Sequence, residues 1–297
     1  MMRYRLLTLL LCLFLPCLFF STGRALTPIH YQAPLATVKW TFSEELGFCR
    51  LTHEIPHYGQ AMFEMRTGRL QSFVLDTHVG PSRKEPVTLT TGSPGWRLPE
   101  ALILNDHAKM SQGYAPFRFG TMTVRRMLNS LAQGYAPTLA YQSWLGNRQQ
   151  VQVSISPANF SQPYTQYLAC SKKILPFTFV DIEHTVIYFG VNDRRILKDQ
   201  RYKLERIQEY FKVMKPKIRR IVIKGYADYA GNYLYNKYLS IDRAKALRKF
   251  IVEDMKFDAK KLVVRAYGVG QAVANNSTRS GRALNRRATI DIYLEDP

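Results

Sequence analysis

Gly225-Tyr226-Ala227-Asp228-Tyr229-Ala230-Gly231, followed by Asn236-Lys237-Tyr238-Leu239-Ser240-Ile241-Asp242-Arg243-Ala244, is the stretch that decides the fold of this chain. Ile221 and Ile223 anchor a strand ending at Gly225, so Asp228 enters the loop behind it. A helix is predicted over 236–254, and Leu239, Arg243, Ala246, Leu247, Phe250 and Ile251 then share one face. All but one of these are core types; the exception is a guanidinium. A buried charge needs a partner, because an unpaired one is too costly to keep. A strand–loop–helix return brings Asp228 and Arg243 to the same end of a sheet. There they form either a plain internal salt bridge or a site for a zwitterionic amino-acid group, with Asp228 on the ammonium and Arg243 on the carboxylate. Position alone favours neither.

Working outward, residues 181–297 alternate strands and helices. Strands are predicted over 185–189, 218–225, 262–267 and 288–294. The first helix is expected over 196–214, with Leu197, Leu204, Ile207, Phe211 and Met214 at helical spacing and Pro216 behind it. Residues 268–281 read as a polar loop. Residues 26–180 read mainly as strands: Phe48–Ile55 and Gln150–Ile155 alternate with period two, and turns fall at Pro56, Gly59, Gly68 and Gly80-Pro81. One helix is expected near 121–131, with Met122, Met127, Leu128 and Leu131 inward, and another around Tyr164–Cys170. The fold class is therefore α+β, a β-rich domain over 26–180 joined near 172–182 to a second domain over 181–297.

The N-terminus supplies the compartment. Arg3 and Arg5 precede an apolar run from Leu6 to about Phe20, and Gly23 and Ala25 follow. This is a secretory signal cut after Ala25. The run is short for a membrane span, which takes roughly 20 residues. Removing residues 1–25 leaves Cys49 and Cys170 of the four cysteines, an even pair in an oxidising compartment, and one disulfide is expected. The net charge of +20 falls to +17 without the three arginines of the signal, with +11 carried by 181–297. Such a balance favours anionic partners. Outside the cytoplasm these are acidic envelope polymers and membrane surfaces rather than nucleic acid.

Catalytic motifs are weak. His53-Glu54-Ile55-Pro56-His57 has the letters of a zinc-protease motif, but that chemistry needs a helix to bring both imidazoles to one metal. Pro56 and the preceding alternation give a strand ending in a turn instead. No nucleophile elbow and no phosphate-wrapping glycine run occurs. The chain reads as a non-enzymatic protein without cofactor or metal.

Gly225–Gly231, the Asn236…Arg243-Ala244 run, Gly268-Val269-Gly270 and Asn285-Arg286-Arg287 together resemble the OmpA-like peptidoglycan-binding family. The resemblance implies a βαβαββ sandwich of helices on one sheet. It also implies that Asp228 and Arg243 hold the diaminopimelate of the wall's stem peptide, and it carries Asn236, Leu239, Asn285, Arg286 and Arg287 to the same pocket. Arg287 stands in a strand lead-in, where a solvent-facing position is the other reading. At Tyr226-Ala227 the chain departs from the family's usual His-Thr. On this basis Arg243→Ala is expected to abolish wall binding while leaving the domain folded. In the first domain, Leu46-Gly47-Phe48-Cys49-Arg50-Leu51 with His53, Ile55-Pro56, Gly59, Ala61 and Phe63, and then Tyr135, Pro137-Thr138, Tyr141-Gln142 and Trp144, resemble the MotY family of flagellar motor proteins. That resemblance implies a periplasmic protein that forms the T ring with MotX around the basal body, where stator units of the PomA/PomB type are recruited. A general envelope tether with an unrelated first domain is the alternative.

Overall fold

The computed structural model describes residues 27–82, 85–92, 106–109, 111–145 and 149–295. The expected signal over 1–25 lies outside the described residues. Among the described residues no helix is long and apolar enough to cross a membrane.

The described residues of the first half form ten strands: β1 (Ile29–Tyr31), β2 (Trp40–Glu45), β3 (Phe48–Ile55), β4 (Gly59–Arg66), β5 (Leu70–Thr77), β6 (Pro86–Gly92), β7 (Asp106–Lys109), β8 (Phe117–Phe119), β9 (Ala136–Gln142) and β10 (Gln150–Ser154). They form two five-stranded sheets, ordered β1-β10-β9-β6-β7 and β2-β3-β4-β5-β8. The alternation in β3 buries Cys49, Leu51, His53 and Ile55, and that in β10 buries Val151 and Val153. Inner residues of both sheets, such as Phe63, Phe73, Leu89 and Leu139, share one core. Helix α1 (Thr121–Ala132) adds Val124, Met127, Leu128 and Leu131 to it. Met122, expected inward, is exposed, because Val124 stands one turn before Met127 and Leu128 and takes the inner position. Helix α2 (Ser161–Lys173) places Tyr167 and Cys170 in the same core, and Cys49 and Cys170 are disulfide-bonded.

The second half is one four-stranded sheet, ordered β11-β14-β12-β13, from β11 (His184–Tyr188), β12 (Ile218–Gly225), β13 (Leu262–Ala266) and β14 (Arg287–Leu294). Ile187, Ile221, Ile223, Ala288, Ile290 and Ile292 point from it into a second core against α3 (Arg201–Met214) and α4 (Tyr233–Lys249). Helix α3 begins later than its apolar pattern, after a 3-10 turn over Lys198–Gln200. It ends at Lys215, which takes the left-handed conformation before Pro216. Helix α4 begins earlier than expected, where Asn232 accepts from the backbone N–H groups of Leu234 and Tyr235, and it widens into a π turn over Phe250–Asp254. A short helix, α5 (Arg279–Asn285), closes what reads in the sequence as loop.

Strand β14 runs antiparallel to both β11 and β12, and β13 runs parallel to β12. The C-terminal ends of β11, β12 and β13 therefore meet the N-terminal end of β14 at one edge of the sheet. Four connecting segments gather there, at 189–195, 226–232, 267–278 and 285–287.

Candidate functional site

Asp228 and Arg243 both come to that edge, but they do not bond to each other. Arg243 has no solvent exposure. Its Nε donates to the carbonyl of Asp193 at 2.9 Å, Nη1 to that of Tyr226 at 2.9 Å and Nη2 to that of Gly190 at 3.1 Å. The Phe189 ring lies 5.3 Å from the guanidinium carbon. Burial pushes its pKa down to about 10, with the nearby Asp228 carboxylate opposing and Arg286 reinforcing. Among the described residues, two of the five guanidinium N–H bonds have no further partner.

Asp228 pairs with Arg286: Nη1 donates to Oδ2 at 2.9 Å, and both side chains are largely enclosed. The other carboxylate oxygen accepts from the N–H of Ala230 at 3.2 Å. Arg286 also donates from Nε to the carbonyl of Phe189 at 3.2 Å, so it spans from β11 to the loop after β12. The site thus sets the Asp228 carboxylate among two guanidiniums, Arg286 bonded to it and Arg243 buried nearby, with the Asp193 carboxylate also acting on Arg243.

The other expected residues divide. Asn236 is buried and donates from Nδ2 to the carbonyl of Ala230 at 2.9 Å, fixing the loop that carries Asp228. Asn285 accepts from the N–H groups of Val273 and Ala274 and donates to the carbonyl of Ala274 and to Asn276 Oδ1. These four bonds use its whole capacity, so it shapes the 273–276 loop. Leu239 is buried on α4, one turn before Arg243. Arg287 is neither solvent-facing nor beside Asp228: its guanidinium lies 3.8 Å from the centre of the Tyr226 ring and donates to the carbonyl of Gln271 at 2.9 Å. Arg286 is the residue that ends α5 and Arg287 the first of β14, and the two make different contacts.

The partners of Arg243 and of Ser240 carry no local signal in the sequence. The carbonyl acceptors of Arg243 depend on the path of distant loops. Gly190 and Asp193 stand in a segment braced by the Asp193 carboxyl, which the Arg195 side chain and the N–H groups of Arg195 and Arg194 hold down to about 2. Ser240 Oγ donates to the carbonyl of Lys237 at 2.8 Å and accepts from the N–H of Gly268 at 3.0 Å, tying the third segment to α4. Asn232, the cap of α4, was legible as a start signal.

His53-Glu54-x-x-His57 lies on a strand and the turn after it. His53 is buried, stacked 4.6 Å from Trp40. It lies 3.2 Å from the carbonyl of Lys39 through Nδ1 and accepts from the N–H of Ser156 at Nε2. Burial pushes it down to about 4. His57 is exposed, with φ of 64°. Among the described residues no group of three or more His, Cys, Asp or Glu is placed to hold a metal ion.

Residues 31–176 match the MotY N-terminal domain, and residues 188–286 match the OmpA family. The sodium-type flagellar protein MotY of Vibrio parahaemolyticus is 26% identical over 246 residues, which is 82% of this chain and 83% of that protein. The outer membrane protein Omp38 of Acinetobacter baumannii is 26% identical over 207 residues, 68% of this chain, and the chain spans 52% of its length. Among solved structures, the C-terminal domain of Helicobacter pylori MotB covers 38% of this chain and 85% of its own, at 21% identity and a TM-score of 0.33.

Proposed function

From a chain that joins a MotY N-terminal domain to an OmpA family domain, we propose a periplasmic flagellar motor protein that anchors the motor to the cell wall. The wall ligand is the diaminopimelate of the peptidoglycan stem peptide. Its free ammonium would take Asp228, and its carboxylate would take Arg286 and the remaining N–H bonds of Arg243. The carrying observation is the enclosed Asp228–Arg286 pair, 2.9 Å apart, with a second guanidinium buried nearby. The carboxylate of Asp228 is complementary to the ligand's ammonium and the two guanidiniums to its carboxylate, and each charge-assisted bond is worth about 1.5–3 kcal/mol.

The division of labour follows the two matches. Residues 26–180 dock to the basal body and to a MotX-type partner, forming the T ring where PomA/PomB-type stator units gather. Residues 181–297 grip the wall. Support for the first half is its similarity to MotY; no catalytic role is proposed, since the relatives are motor and envelope proteins.

Two measurements test this. Asp228→Asn keeps the size of the side chain and an acceptor for Ala230, and is expected to reduce co-sedimentation with purified sacculi at least tenfold while the melting temperature falls only slightly. Full retention of sacculus binding would remove the pocket reading. Deleting the gene is expected to paralyse cells whose filaments still assemble. Normal swimming would favour a general envelope tether.

A further inference from the structure

Beside Asp228 the surface turns aromatic. Tyr229, the next residue in the loop, is 71% exposed, and on the first two turns of α4 Tyr233, Leu234, Tyr235 and Tyr238 are 66%, 60%, 49% and 65% exposed. Four tyrosines and a leucine within ten residues make an apolar patch of a kind that soluble domains keep for binding. The patch is held in place. Asn232 accepts from the N–H groups of Leu234 and Tyr235, Asn276 Oδ1 accepts from that of Tyr229, and Asn236 ties the carbonyl of Ala230 to α4. A platform fixed before binding spares the ordering entropy of its ligand contacts. Tyr235, Leu234 and Tyr238 are three and four residues apart and so lie on one side of the helix.

We infer that this tyrosine rim holds the sugar strand of the wall polymer, as a second subsite to the Asp228 pocket. This rests on the stem-peptide reading of that pocket. The sugars are uncharged pyranose rings whose C–H faces stack on aromatic rings, and tyrosine offers an apolar face with a hydroxyl at its edge. Geometry supports continuity. A diamino acid a few residues along a peptide stem lies about 10 Å from its sugar, at about 3.3–3.6 Å per residue. Tyr235 stands eight residues before Arg243 on the helix, about 12 Å along its axis. A stem whose carboxylate lies at the Arg243 end of the pocket thus brings its sugar strand over Tyr235 and the rim around it.

The test uses the mature full chain and three probes: sacculi, a soluble diaminopimelate-containing stem peptide, and an N-acetylglucosamine oligomer. Tyr229→Ala with Tyr238→Ala is expected to weaken sacculus binding about tenfold and to abolish oligomer binding, with stem-peptide affinity unchanged. The corresponding pair of Phe substitutions is expected to retain both. Asp228→Asn loses the stem peptide in this scheme and keeps the oligomer, which separates failure of the pocket from failure of the rim. Wild-type sacculus binding by the alanine pair would overturn the inference. So would equal loss of stem peptide and sacculi, which would place the tyrosines in the peptide site. Unchanged sacculus binding with a loss of self-association in sedimentation would make the patch a contact between copies of this chain, and would overturn it as well.

Discussion

Arg243 ties the segment after β11 to the one after β12 by donating to carbonyls of both. Its removal would take the side-chain donor from the carbonyls of Asp193 and Tyr226, leave that of Gly190 only the N–H of Asp193, and open a cavity where the guanidinium lies. The resemblance alone implies that Arg243→Ala leaves the domain folded; with its guanidinium buried on three backbone carbonyls, the substitution is instead expected to cost about 3–5 kcal/mol, a large share of the stability of a domain. Arg243→Lys, with one ammonium in place of a fork, should recover only part of that. Urea titration of both variants measures it. An alanine variant that melts like the wild type yet no longer binds sacculi would show that Arg243 serves the ligand rather than the scaffold. At the same scale, His53 makes the first core sensitive to acid. Its folded pKa of about 4 lies below the unfolded value of 6.5, so the unfolded chain binds the extra proton first. Stability falls as pH drops from about 6.5 towards 4, by about 2–3 kcal/mol at pH 4.5. His53→Phe should flatten the dependence of the urea midpoint between pH 7 and 4.5; an unchanged slope would assign the acid sensitivity to other groups.

At the scale of elements, the site depends on how closely β12 and α4 approach. A Cβ on Gly225 would fall 2.0 Å from the carbonyl oxygen of Ser240 and 3.1 Å from the Ala244 Cβ. Helix α4 can lie this low only over a glycine, and that closeness lets the Arg243 side chain reach the carbonyl of Tyr226. Gly225→Ala is expected to destabilise the domain by about 1–3 kcal/mol through overpacking and to weaken sacculus binding with it. Wild-type values for both, in thermal melts and co-sedimentation, would mean that the helix shifts freely. The strand end at Gly225 and the helix carrying Arg243 were legible because the apolar spacing of Ile221, Ile223, Leu239 and Leu247 is set by local periodicity. The polar half of the inner face was not: Asn236 and Ser240 are buried because loops around 230 and 268 offer them partners, and those loops return from elsewhere in the chain. Helix α5 was illegible for a related reason. Its seven residues, Arg279-Ser280-Gly281-Arg282-Ala283-Leu284-Asn285, carry no apolar stripe. Its start is held by the Thr278 side chain, and Gly281 lies so close to the Asn275 carbonyl that a Cβ there would stand 1.9 Å away. The pairing of Asp228 with Arg286, 58 residues apart, follows from that local anchoring and from the register of β14 against β12.

At the scale of the whole molecule, the Cys49–Cys170 bond sits where the two cores meet. It fastens α2 to β3, Ile174 is the last residue of the first core, and Leu175 opens the second. The turns beside it reach the second half directly: the N–H of Gly68 donates to the carbonyl of Leu175 at 2.8 Å, and the Thr67 hydroxyl lies 4.0 Å from the Met214 sulfur. In the proposed role, force passed from a motor to the wall would cross this junction. The bond closes a loop across 121 residues of sequence, for which chain entropy gives about 4–5 kcal/mol as an upper figure. Replacing both cysteines by serine is expected to lower the stability of the first half by about 2–5 kcal/mol. The second half should keep its own transition and its sacculus binding, because its sheet, its helices and the Asp228 site contain no part of the bridge. Calorimetry of the double variant should therefore show one transition moved down and one in place. If both move together, the junction unfolds as a unit with the wall-binding half, and the disulfide holds the grip on the wall as well as the fold of the first core.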